Sequence, residues 1–188
     1  VLMPYDAFHA MAEQRGYDID RMASAFAVSF EQVCQRLTTL QRETKRGVPF
    51  FFLRVDKAGN VTKRFNATSF NIAEYGGSCP VWNLHTAFRT PGVILPQFVE
   101  LPDGEKFFTL ARTTERPVYS MQTQDRRLAI SLGCEIKHAQ KLIYTSTFPK
   151  PSNDGFTKIR INCPFPLRRN CSQRAHEPLF AELTTDTS

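Results

Sequence analysis

Pro49-Phe50-Phe51-Phe52-Leu53-Arg54-Val55, followed by Asp56-Lys57-Ala58-Gly59-Asn60 and then Val61-Thr62-Lys63-Arg64-Phe65, is the stretch that decides the fold. The first group is aromatic and branched enough to read as a strand. The second is turn chemistry, and the third reads as the return strand. The result is a hairpin with one buried face. Downstream, Val93 to Leu101, Lys106 to Thr113, Pro117 to Gln122 and Arg127 to Cys134 read as further strands. Thr90-Pro91-Gly92 and Pro102-Asp103-Gly104 are the turns between them. Glu135 to Tyr144 reads as a helix, and residues 149–157 as a loop.

Upstream of the hairpin the texture is helical. Pro4 suits a first helical position and Gly16 a stop. Asp18 or Asp20 can cap a second helix carrying Met22, Ala25 and Phe26. Ser29 with Gln32 makes a capping box, and Val28 with Val33 the accompanying staple. Phe30, Val33, Leu37 and Leu40 then share one apolar face. Residues 42–47 are basic and polar and read as a linker. Helices followed by paired strands argue an α+β fold around an antiparallel sheet, similar to GAF or PAS sensor domains. The expected organisation is a helical segment over 1–46, an α+β ligand-binding domain over 47–157, and a basic, Cys-containing tail over 158–188.

The 188 residues are 41 % hydrophobic, enough for a sizeable core, and include 16 Phe. No apolar run is long enough to span a membrane, and no leader pattern opens the chain. Val1-Leu2-Met3-Pro4 reads as a cut inside a longer protein. The net charge of +6 is concentrated between Arg36 and Arg64 and between Lys158 and Arg174, which fits an anionic partner. Five cysteines at irregular spacings fit a reducing cytoplasm rather than a disulfide scaffold.

Gly76-Gly77-Ser78-Cys79-Pro80-Val81-Trp82-Asn83-Leu84-His85-Thr86-Ala87-Phe88 holds the single tryptophan with a cysteine and a histidine. On a helix Trp82 and His85 would share a face. The segment reads either as a bent backbone over an aromatic floor for a ligand or as a glycine turn leading into a core helix. No metallopeptidase His-Glu-x-x-His, phosphate-binding glycine loop or nucleophile elbow is present. The expectation is a binding domain, not an enzyme. Two rivals stand beside it. One is direct nucleic-acid binding by the helix–turn–helix shape from Asp20 to Leu40 together with the basic tail, against which Glu31 would oppose phosphate. The other is a metal or redox site built from cysteines.

Several ordered motifs carry a family resemblance. They are Ser29-Phe30-Glu31-Gln32-Val33, Gly47-Val48-Pro49-Phe50-Phe51-Phe52, Val55-Asp56-Lys57-Ala58-Gly59-Asn60, Gly76 to Asn83, Gly133-Cys134-Glu135 and Gln173-Arg174-Ala175. Over nearly the whole chain this resembles the short-chain fatty-acyl-responsive transcriptional regulators of the PrpR and RamB type. The resemblance implies a cytoplasmic factor of propionate or acetate metabolism, expected as a homo-oligomer. Promoter DNA would be held by an N-terminal helix-turn-helix domain outside this chain. The first helices here would close a metallopeptidase-like middle region. The effector would be a short-chain acyl-CoA, propionyl-CoA or acetyl-CoA. Lys63, Arg64 and Arg112 are the expected phosphate partners, with Trp82, His85 and Phe88 as the other lining residues. The resemblance also implies an iron–sulfur cluster in some members, on a tail reading Cys-x-x-Cys-x-x-x-x-Cys. Here Pro166 takes the middle position. Cys163 and Cys171 remain, and Cys79 and Cys134 are the candidates to complete a metal set.

Overall fold

A computed structural model describes residues 2–70, 79, 81–114 and 127–160. Three helices open it: α1 (Tyr5–Gln14), α2 (Ile19–Phe26) and α3 (Phe30–Thr38). Pro4 precedes α1 as its N-cap instead of starting it. Gly16 takes φ +59° just past the end of α1, a conformation that glycine adopts without steric cost. Asp18 accepts the Arg21 N–H, and Ser29 and Gln32 form the reciprocal capping box.

Residues expected as a linker form a two-stranded ribbon instead, β1 (Gln41–Arg42) with β2 (Lys45–Arg46). Tyr5 is the physical reason. Its hydroxyl accepts the Arg42 N–H at 3.0 Å and donates to the Lys45 carbonyl at 2.7 Å, tying both strands to α1.

The main sheet has six strands: β3 (Phe51–Val55), β4 (Val61–Asn66), β5 (Leu95–Glu100), β6 (Lys106–Thr114), β7 (Leu128–Glu135) and β8 (Thr157–Lys158). Their spatial order is β4-β3-β7-β6-β5-β8. Every pairing is antiparallel except β5 with β8, so the sheet is mixed, not purely antiparallel as expected. The expected strand Pro117 to Gln122 lies outside the described residues.

Strand parity divides the core in two. Phe52, Leu110, Ile130, Leu132 and Cys134 pack with Phe8, Met22, Val33, Cys34 and Leu37 of the helices. The intervening residues Phe51, Leu53, Val55, Phe107, Ala111 and Ala129 pack on the other side with Phe70, Trp82 and Leu84. Burying each large apolar side chain contributes roughly 1.5–3 kcal/mol.

Beyond β7 a single helix was expected. A 3₁₀ segment, Ile136–Lys141, comes first and a short α5 (Tyr144–Thr147) second. Leu142 between them is extended. That break lets the Ile143 N–H donate to the Gly16 carbonyl at 2.8 Å, while the Tyr144 hydroxyl accepts the Ile19 N–H at 3.0 Å. Tertiary hydrogen bonds to the helical layer replace the intrahelical ladder.

Candidate functional site

On the face away from the helices, four aromatic rings close on one another. Phe51 stacks on Phe70 at 4.1 Å between centroids, and Trp82 lies 5.7 Å from Phe70 and 6.2 Å from Phe51. Phe107 meets Phe70 edge-on at 5.0 Å. Such offset and edge-to-face pairs are worth more than their buried area alone. The floor beneath them is built of small residues: Thr109 and Ala111 of β6, and Ala129, Ser131 and Gly133 of β7. A Cβ at Gly133 would stand 2.4 Å from Phe51 Cζ, so the ring rests on bare backbone.

Trp82 is 3 % exposed, and its indole N–H points at Thr109 Oγ1, 3.4 Å away. It is the N-cap of α4 (Asn83–Thr86), not a member of it. The helix is one turn long, so the shared Trp82–His85 helix face does not form. His85 and Phe88 are half-buried, and Phe88 packs against the aromatic cluster. A polar lattice pins this turn to β5. The Asn83 N–H donates to Gln97 Oε1 at 2.8 Å, Asn83 Nδ2 donates to the Leu95 carbonyl at 2.6 Å, and Gln97 Nε2 donates to the Val81 carbonyl at 3.2 Å. Asn83 Oδ1 and Ser131 Oγ are buried on this face without a hydrogen-bond partner.

The helix-facing side carries a row of cations. Lys63 is the cross-strand partner of Arg54, Arg54 of Ile130, and Ile130 of Arg112. Like charges directly opposite are destabilising unless countered. Here α2 and α3 counter them. Arg54 Nη1 reaches Glu31 Oε1 at 2.7 Å, with only 16 % and 18 % of the two side chains exposed. Gln35 Nε2 donates to that same Glu31 oxygen at 2.7 Å, and its Oε1 accepts from Lys63 Nζ at 3.0 Å. Arg112 pairs with Asp20 at 2.5 Å and lies 4.9 Å over the Phe30 ring. Arg64 partners Leu53 and belongs to the opposite face. The structure therefore brings Lys63 and Arg112 into one row, puts Trp82, His85 and Phe88 together on the other face, and separates the two groups by the sheet.

Arg54, Asp20 and the Asn83–Gln97 lattice were missed in the sequence. Arg54 was legible in principle: it is the one charge in an apolar strand, two residues from Phe52 and hence on the same face. Asp20 carried no signal beyond a capping role.

The thiols do not converge either. Cys134 lies in the helix-side cluster and Cys79 in the aromatic one. Burial pushes the Cys134 thiol up, with the Glu135 charge adding to it, and burial does the same to Cys34. A metal ligand must be a thiolate. Among the described residues no three His, Cys, Asp or Glu side chains group as a metal site. Cys163 and Cys171 lie outside the described residues. Of the four candidate ligands, the two described ones, Cys79 and Cys134, lie in different core clusters.

The helix pair over 20–40 packs one face of α3 on the sheet. Phe30, Val33, Cys34 and Leu37 of α3 are buried against the sheet, and Glu31 is taken by Arg54.

The fold is shared with a solved transcriptional regulator. A solved Mycobacterium tuberculosis transcriptional regulator matches 99 % of this chain, and 56 % of its own, with a TM-score of 0.91 and 41 % identity. Residues 39–188 match the family described as short-chain fatty acyl coenzyme A regulator, C-terminal, and residues 1–38 match the IrrE N-terminal-like domain. The chain belongs to the short-chain fatty acyl coenzyme A regulator family. It is 45 % identical to the propionyl-CoA carboxylase regulator of Cereibacter sphaeroides, with 98 % of this chain and 40 % of that protein aligned. It is 42 % identical to the HTH-type transcriptional regulator PrpR and 41 % to RamB, both of Mycobacterium tuberculosis, again over 98 % of this chain. The chain spans about two fifths of the length of these curated relatives. Among the described residues no helix is long and apolar enough to cross a membrane.

Proposed function

We propose that this chain is the effector-binding region of a cytoplasmic, homo-oligomeric transcriptional regulator of short-chain fatty acid metabolism. It binds a short-chain acyl-CoA, propionyl-CoA or acetyl-CoA, without turning it over. The observation that carries this reading is the family match over residues 39–188. The names of the relatives, among them a regulator of propionyl-CoA carboxylase, agree with it. Occupancy would bias the conformation of the region and so change DNA affinity elsewhere in the protein. The nucleotide end of the ligand supplies phosphates, for which arginine is the natural fork. Arg112 and Lys63 are the candidates on the helix side and Arg64 on the other. Trp82, His85 and Phe88 are the candidates for an aromatic wall on the Arg64 side of the sheet, apart from the helix-side cations.

Calorimetric titration tests this. Thioesters of two to four carbons should bind more tightly than the free acids, and CoA alone should retain most of the affinity. Absence of heat with both propionyl-CoA and acetyl-CoA would end the acyl-CoA reading. Metal-free protein that still binds acyl-CoA would show that sensing does not require a cluster on Cys79, Cys134, Cys163 and Cys171.

A further inference from the structure

The geometry points to an internal competition for Arg112: Asp20 of α2 holds the guanidinium in place of a ligand phosphate, and anion binding exchanges one for the other. This deepens the acyl-CoA reading, whose ligand is a polyanion, by naming the side chain it must displace.

Three observations carry it. First, the row Lys63–Arg54–Ile130–Arg112 holds three cations, and the helical layer answers them with two carboxylates, Glu31 and Asp20. Lys63 has the neutral amide of Gln35 as its partner. The row is left with an excess of positive charge, so an incoming anion is attracted to it.

Second, the two ion pairs differ in access. Both side chains of the Arg54–Glu31 pair are largely buried, whereas Asp20 is 60 % exposed and Arg112 24 %. An inner pair is hard to open, because each partner would be left as an uncompensated charge in poor solvent. A rim pair is worth little and is replaced readily, because the released carboxylate returns to water. Exchange therefore belongs at Arg112 and not at Arg54.

Third, Asp20 borders a groove that carries two guanidinium groups on its wall. A groove of about 560 Å³ borders Asp20 and is lined by Met11, Arg15, Arg21, Ser24 and Ala25. Arg15 and Arg21 are exposed. Asp20 both borders this groove and holds Arg112, while Arg21 pairs with Asp18 at 3.2 Å. The Phe30 ring under Arg112 fixes the plane of the guanidinium, so its fork is presented without further ordering. Displacing Asp20 removes one tie between the first turn of α2 and the sheet. Ligand occupancy is thereby converted into a change at the helical layer.

The test uses the 188-residue chain, with propionyl-CoA and inorganic pyrophosphate titrated separately at constant ionic strength. Asp20→Asn removes the competitor, so both anions should bind about two- to fivefold more tightly, the fold-change equivalent of a rim ion pair. Arg112→Met should weaken both by about tenfold or more, the loss of a charge-assisted contact. Arg112→Lys should fall between, and it separates loss of charge from misfolding. Amide exchange of α2 should rise on ligand addition in the unsubstituted chain and be already raised in Asp20→Asn. A purely structural pair would give a less stable Asp20→Asn with unchanged or weaker binding, and that result would overturn the exchange. Pyrophosphate binding with this pattern but no propionyl-CoA binding would sink the acyl-CoA reading alone. Propionyl-CoA binding indifferent to both substitutions would sink the exchange alone, and no binding of either anion would remove both.

Discussion

Phe51 and Arg54 lie three residues apart on one strand and look in opposite directions. Around Phe51 the contacts are ring on ring over a floor of glycine, alanine, serine and threonine. Around Arg54 they are charge on charge beneath a helical layer. Aromatic packing is set by shape, so a single added carbon is felt. The charged row is set by sign and solvent access, so the effect of a change there depends on whether one partner or both are altered. The two faces should therefore respond to mutation by different rules.

The largest effect is expected on the aromatic face. Phe51→Ala should cost about 3–5 kcal/mol, as large aromatic truncations in cores do. Gly133→Ala, which removes nothing, should still cost about 1–3 kcal/mol, because its Cβ meets the Phe51 ring. Adding Phe51→Leu to Gly133→Ala should recover part of that loss. Urea unfolding of the single and double variants measures all three. A Gly133→Ala protein as stable as the unsubstituted chain would show that the ring is free to move off the glycine.

The helix face should break the parallel. Glu31→Gln leaves Arg54 without its counter-charge in a mostly buried position and should cost about 1–3 kcal/mol. The double change Glu31→Leu with Arg54→Met replaces both partners with apolar groups and should be close to neutral, or stabilising. A double variant clearly less stable than the unsubstituted chain would mean that the ion pair stabilises the fold more than an apolar pair in its place. The same unfolding curves decide it.

This contrast was only half legible in the sequence. The strand run around Phe51 and the capping box at Ser29 depend on local chemistry, and both appear where the residues put them. What failed depended on distant partners. The ribbon at 41–46 forms because Tyr5 hydrogen-bonds both of its strands, and the helix after Glu135 is divided because Ile143 and Tyr144 bond to the α1–α2 turn. Candidate ligand residues were chosen by type, as cations and aromatics, and type does not record the side of a sheet. Strand parity does: Lys63 and Arg64 are neighbours and must diverge. Counting from Phe52 would have put Arg54, Lys63 and Arg112 in one row only if the register across β7 were known, and no local signal fixes that register.

The smallest expected effect lies where β7 leaves the sheet, and it sharpens the comparison by adding proton linkage to a charged edge. Burial holds the His138 imidazole below its usual value, and Lys137 and Lys141 add to this, while Glu135 opposes them. The hydrogen bond from Lys137 holds Glu135 below the ordinary glutamate range, against a smaller opposing effect of burial. The signs run the same way for different reasons. A histidine with a depressed folded value is protonated more readily in the unfolded chain. Stability is therefore full at neutral pH and falls as pH drops below the ordinary histidine value, down to the folded one. Glu135 contributes stability above the ordinary glutamate value, and that is lost as pH falls further, through its folded value. The acid side of the stability curve should thus show two steps. His138→Gln should flatten the upper step, between about pH 7 and the histidine's folded value, and leave the lower one. Glu135→Gln should flatten only the lower step and leave the upper one slightly larger, because the group that favoured the imidazolium is gone. Both side chains are partly solvated, so the steps should be small beside the loss from Phe51→Ala. Urea midpoints measured across this range, with an unchanged m-value, resolve them. A His138→Gln protein whose upper step survives would place that titration on another group.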